Sequence, residues 1–175
     1  MPVLTQGQLR KQMKDGEVGP LYVLVGADDA EKASVAAEFG ELVEEDLRAF
    51  NYERLYGGEM ALDDLLQAAN LLPMMTARRV VIVLEAEKLL VPKREGKSAE
   101  EEQQRLEAFI MDPPPQSTVV FVCGPLDRRR RAVKRLLERA LVVDCGTIED
   151  AADAERWVKT RAARSRMIEP SSRAP

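Results

Sequence analysis

No histidine occurs anywhere in this chain of 175 residues. That absence removes Ser-His-Asp and Cys-His catalysis, histidine-containing metal sites and the usual general base near neutral pH. Cysteine is scarce: Cys123 and Cys145 each follow an apolar run, without CxxC spacing, and read as small buried hydrophobes in a reducing compartment. Aromatic residues make up 5%, too few for a stacking platform on single-stranded nucleic acid. No apolar run approaches the roughly 20 residues that cross a bilayer. The N-terminal MPVLTQGQLRKQM lacks the apolar core of a secretory signal, so the expected location is cytoplasmic, away from membranes. The net charge of −4 argues against a protein that binds nucleic acid over its whole surface, and leaves a local basic patch open. No catalytic residue, metal ligand set or cofactor is expected.

What is present is a globular composition, 45% hydrophobic and 32% charged, in a length that buries one sizeable core plus an appendage. Thr5-x-x-Gln8 has capping-box form and opens a short helix to about Lys14. Leu21–Val25 reads as a buried strand, and Asp28 or Asp29 caps a helix from about Ala30 to Leu47. Phe50–Tyr56 suggests an edge strand, and Leu62 to about Leu71 a helix. Val80–Leu84 is apolar on both sides, as in a central parallel strand. Ser98-x-x-Glu101 predicts a second capped helix to about Met111, stopped by Pro113-Pro114-Pro115. Thr118–Cys123 is a buried strand, Asp127–Arg139 a basic helix and Ala140–Asp144 the last strand. This alternation predicts an α/β domain over residues 1–146 with a mostly parallel, five-stranded, doubly wound sheet and helices on both faces. After Gly146 the pattern changes: Thr147 caps a helix carrying Trp157 and Val158 to about Arg164, the expected start of a second, helical domain over residues 147–175.

The segment LYVLVGADDAEKASVAAEF, from Leu21 to Phe39, has the strand-glycine-helix layout of a phosphate-binding loop. Counted from Gly26 in the pattern GxxxxGK[ST], the second glycine is Glu31 and the Ser/Thr is Ala33, while Lys32 alone stays in register. Asp28, Asp29 and Glu31 would surround a triphosphate with three carboxylates, which repel it. The strand VVIVL ends Leu84-Glu85, where a Walker B motif would place Asp-Glu to hold Mg²⁺. These residues read either as a nucleotide scaffold without its nucleotide or as an ordinary βα unit. A divergent P-loop ATPase or kinase working through Lys32 is the rival.

Two further segments carry candidate function. Pro73 disfavours helical geometry at Leu72, so Leu72, Met74 and Met75 fall in a connection before the central strand. Three large apolar side chains there form either a patch for a partner or an inward-packed cluster. The stretch Asp127–Arg139 carries seven basic residues against two acidic ones. Arg128, Arg129, Arg130, Arg131 and Arg135 are candidates for phosphate contact, against the plain reading of a solvated face, and a DNA-binding module acting through them is a third function class.

The ordered set LYVLVGADD, FNYERLYGGE, LLQAANLLPMMTARRVVIVLEAEKL, FIMDPPPQSTVVFVC, LDRRRRAVKRLLE and VVDCGTIEDAADAERWVKTRA resembles the delta subunit family of the bacterial DNA polymerase III clamp loader, within the AAA+ superfamily, over about residues 4–165. The resemblance implies a AAA+-like domain that binds no ATP, followed by a helical lid and a collar, so residues 1–175 are expected to be an N-terminal piece lacking most of the lid and all of the collar. It implies a non-catalytic subunit of a DNA-directed DNA polymerase holoenzyme, acting in DNA replication. The implied partners are the ring-shaped sliding clamp, other clamp-loader subunits and primed DNA. The family's clamp-opening wedge maps position by position onto Leu72, Met74 and Met75. Family members commonly have Leu-Phe at the last two of these positions, where this chain has Met-Met.

Overall fold

Alternation along the strands sends their side chains to two buried faces, and both faces are covered by helices. In β2 (Leu21–Val25), Leu21 and Val23 join one apolar cluster while Tyr22 and Leu24 join the other. The same split separates Val81 and Val83 from Val80 and Ile82 in β4 (Arg79–Leu84). Near-continuous β-branched runs are what a parallel strand covered on both sides requires.

The computed structural model describes residues 3–92 and 96–146. Its remaining strands are β1 (Val3–Leu4), β3 (Tyr52–Tyr56), β5 (Ser117–Val122) and β6 (Leu141–Asp144). They form one sheet of order β1-β6-β2-β5-β4-β3, with every neighbouring pair parallel. Helices α1 (Gln6–Asp15) and α2 (Asp29–Gly40) cover one face through Leu9, Val35 and Phe39. Helices α4 (Leu62–Asn70), α5 (Lys97–Met111) and α6 (Arg131–Arg139) cover the other through Leu65, Ile110 and Leu136. A one-turn helix α3 (Arg48–Asn51) leads into β3, which lies at the sheet edge.

Six strands replace the expected five. Val3 and Leu4 pair with Val142 and Val143 and so cover the β6 edge; two residues are too short for alternation to mark them. The Thr5 capping box forms as predicted, with the Gln8 N–H donating to Thr5 Oγ1. The Ser98 box does not: α5 begins at Lys97 after Gly96, without a side-chain cap. Helix α2 stops at Gly40 rather than Leu47, because Arg48 draws the chain back by donating to the Gly40 and Val43 carbonyls. The basic helix starts at Arg131 rather than Asp127, since Asp127 accepts from the Arg129 N–H in a separate turn. The described fold belongs to a unit that ends at Cys145. The helix expected from Thr147, with Trp157, and the lid domain it would open lie outside the described residues.

Candidate functional site

Helix α4 must satisfy its terminal carbonyls before the chain can turn. Side chains from the amino ends of two neighbouring strands do this. Arg79 Nε donates to the Ala68 carbonyl at 2.8 Å, Ser117 Oγ to Ala69 at 2.6 Å and Gln116 Nε2 to Asn70 at 3.5 Å. A guanidinium at a helix carboxyl end also complements the helix dipole. Arg79 is buried, and it further binds the Phe50 carbonyl and the Glu53 carboxylate. The end of α4 is therefore fastened to β3, β4 and β5 together.

The turn that follows carries the predicted apolar residues outward. Leu72 is 77% exposed, Met74 51% and Met75 86%, so the inward-packed alternative does not describe this turn. Its backbone is held from across the fold. The buried Asn51 accepts from the Met74 N–H at 2.6 Å and donates from Nδ2 to the Met74 carbonyl at 2.8 Å. Met75 then takes a left-handed conformation, φ 58°, which costs a side-chain-bearing residue roughly 1–2 kcal/mol and persists where the surroundings enforce it. Leu71 and Phe50, beside the latch, are also exposed. Phe50 and Asn51 are the residues that sequence reasoning missed. Phe50 and Asn51 look like part of an edge strand, and only the spacing of a long-range contact separates them from it.

The phosphate-type loop lies at the other end of the sheet, beyond the carboxyl end of β2, where open α/β sheets hold ligands. Its polar groups are turned on one another. Asp28 caps α2 by accepting from the Glu31 N–H at 2.9 Å, and its own N–H donates to the Cys145 carbonyl at 3.3 Å. Gly26, at φ 123°, lies so close to Cys145 that a Cβ would stand 1.9 Å from that carbonyl oxygen. Lys32 is only 4% exposed; its ammonium donates to the Cys123 carbonyl at 2.9 Å and pairs with Asp29 at 2.8 Å. Through that bond and charge, Lys32 holds the Asp29 carboxyl below its ordinary range. Ala33 is exposed and offers no hydroxyl. These residues do not fit a nucleotide triphosphate: Lys32 is engaged by the Cys123 carbonyl and Asp29, and the charges of Asp28, Asp29 and Glu31 would repel the phosphates. At the Walker B position Leu84 is apolar, while Glu85 pairs with Lys88. Burial pushes both Cys123 and Cys145 thiols up to about 12. Among the described residues no group of three or more acidic or thiol side chains could hold a metal ion.

The basic stretch is only partly compensated in place, four of its seven cations facing three carboxylates. Arg129 and Arg130 face Asp127, Arg131 pairs with Glu107 at 2.7 Å and Arg135 with Glu138 at 3.5 Å. Exposed pairs of this kind are weak and can be exchanged for phosphates, but they lower the local positive field. Among the described residues no helix is long and apolar enough to cross a membrane.

Comparison with known proteins bears on the family and the fold. The family model described as "DNA polymerase III, delta subunit" matches residues 22–146. DNA polymerase III subunit delta of Bacillus subtilis is 28% identical over 137 residues, covering 77% of this chain and 39% of that protein. The solved Bacillus subtilis DNA clamp loader delta protein superposes with a TM-score of 0.67 at 24% identity, covering 90% of this chain and 47% of that one. A Thermotoga maritima RuvB mutant superposes with a TM-score of 0.54 at 16% identity, over 90% and 48% of the two chains. The chain spans less than half the length of these proteins and shares the fold of the two solved structures.

Proposed function

The chain belongs to the DNA polymerase III delta-subunit family, and from that premise we propose that it binds the sliding clamp through the turn at Leu72, Met74 and Met75 and helps to open the ring. The carrying observation is the exposure of those three side chains on a turn latched by Asn51. A turn fixed before binding loses little freedom when it docks, and preorganisation turns contact into affinity. The described domain serves as a lever in DNA replication, working in the cytoplasm inside a loader whose other subunits bind ATP and primed DNA. It hydrolyses no nucleotide itself, a reading supported by the inward engagement of Lys32 and the closure of Gly26 on Cys145.

Magnitudes say how large the contact must be. Burying one such side chain contributes about 1.5–3 kcal/mol, so three contribute about 4.5–9. Association itself costs an estimated 4–15 kcal/mol, which three side chains do not reliably exceed. Exposed Phe50 and Leu71 supply the additional apolar surface, and Phe50 supplies the aromatic ring that the Met-Met pair lacks. In this reading the patch is built from two segments of the chain, not one.

The test is capture of the clamp. Purified 175-residue chain should retain its cognate sliding clamp, and the Leu72→Ser/Met74→Ser variant should lose it with an unchanged circular dichroism spectrum. Contact between DNA and Arg128–Arg131 or Arg135 is a weaker reading, given the neighbouring carboxylates. It predicts binding that falls steeply with salt and disappears on Arg→Ala changes there.

A further inference from the structure

Two of the three exposed apolar side chains of the turn are thioethers, and Met75 is the most accessible of the three. Met75 at 86% and Met74 at 51% are more exposed than Met111, while Met13 is half-buried and Met60 is buried. Peroxide reaches a methionine sulfur only where solvent does, so exposure ranks these side chains by reactivity. Leucine or phenylalanine in the same places would offer similar apolar volume with no oxidisable atom. The latch acts on the main chain of Met74, through its N–H and carbonyl, and leaves the side chain outside the bond network.

We propose that Met74 and Met75 form a methionine-oxidation site, a substrate for hydrogen peroxide, whose conversion to sulfoxide switches off partner binding by the turn without disturbing the fold. The inference rests on the reading of this turn as the clamp-binding surface. In the reaction a sulfur lone pair attacks one peroxide oxygen and the O–O bond breaks. The sulfur loses two electrons and gains a sulfoxide oxygen, and the other oxygen leaves as water with both protons. Thiol-dependent methionine sulfoxide reductases reverse it, two thiols becoming a disulfide while the oxygen departs as water. The sulfoxide is a strong acceptor dipole, and an apolar pocket gives it no donor, so docking must strip its water without replacement. The fold is spared because neither side chain is part of a buried cluster.

The 175-residue chain is treated with hydrogen peroxide, freed of it, and mixed with untreated clamp. Peptide mass spectrometry should show Met75 and Met74 oxidised before Met111 and well before Met60, and bound clamp should slow the first two selectively. Oxidised chain should bind the clamp at least tenfold more weakly with unchanged circular dichroism, and the reductases should restore binding. The Met74→Leu/Met75→Leu variant should bind equally before and after peroxide. Oxidation of Met74 and Met75 no faster than Met60, or unchanged affinity after their complete oxidation, overturns the proposal while leaving the clamp reading intact. Failure of untreated chain to bind the clamp overturns that reading, and with it the switch.

Discussion

Asn51 grips Met74 by both of its main-chain polar atoms, accepting from the N–H at 2.6 Å and donating to the carbonyl at 2.8 Å across 23 positions of sequence. It also donates to the Leu47 carbonyl, so one buried amide joins the end of α3 to the exposed turn. Asn51→Ala removes the whole set and leaves main-chain groups unpaired. Urea unfolding should show a loss of about 1–3 kcal/mol, and clamp affinity should fall although Leu72, Met74 and Met75 are all retained. A stability change below about 0.5 kcal/mol, in the range of ordinary surface substitutions, would mean that the latch does not hold the turn.

Lys32 gives the second prediction. In a nucleotide-binding protein its removal would abolish binding and leave the fold largely untouched. Here its ammonium fastens α2 to the end of β5 through the Cys123 carbonyl. Calorimetric titration of wild-type chain with Mg²⁺-ATP should give no heat of binding, and Lys32→Ala should lower the melting temperature. ATP binding that disappears in Lys32→Ala would restore the P-loop enzyme as the better reading.

Gly26 tests how tightly the loop is closed. Alanine there would combine a left-handed backbone with a clash against the Cys145 carbonyl. Overpacking and strain together suggest a cost of about 2–5 kcal/mol. Chemical denaturation measures it; an alanine variant as stable as wild type would show that the loop stands open.

Much of this architecture could be read directly from the residues, and what escaped has a common cause. Apolar runs such as VVIVL announce central parallel strands because both of their faces are covered. The connection at Leu72–Met75 was visible from Pro73 and from the oddity of three large apolar residues in a turn. The departures from phosphate-loop chemistry were visible at Glu31 and Ala33. What sequence could not show were bonds between distant residues: Asn51 with Met74, Arg79 with Ala68, Lys32 with Cys123. Helix ends suffered in the same way, since Arg48 ends α2 from eight residues away and apolar Leu42 and Val43 continue the pattern beyond the true stop.

The two thiols supply a pH prediction. Burial raises Cys123 and Cys145 from an ordinary value of 9.0 to about 12, so the fold favours the protonated form. Their contribution to stability is complete below about 9 and is lost as pH rises toward about 12. At pH 8 both should resist alkylation by iodoacetamide in the folded chain and react in denaturant, as mass spectrometry will count. Rapid labelling of either thiol in the native protein would contradict its burial at a strand end.

The most direct measurement is the affinity of the 175-residue chain for its sliding clamp, taken with and without Mg²⁺-ATP and repeated for Leu72→Ser/Met74→Ser. A scaffold that exchanged nucleotide chemistry for a hydrophobic tip should bind equally well with or without ATP, and the double variant should not bind. Affinity that requires ATP, or that survives loss of both side chains, would contradict it.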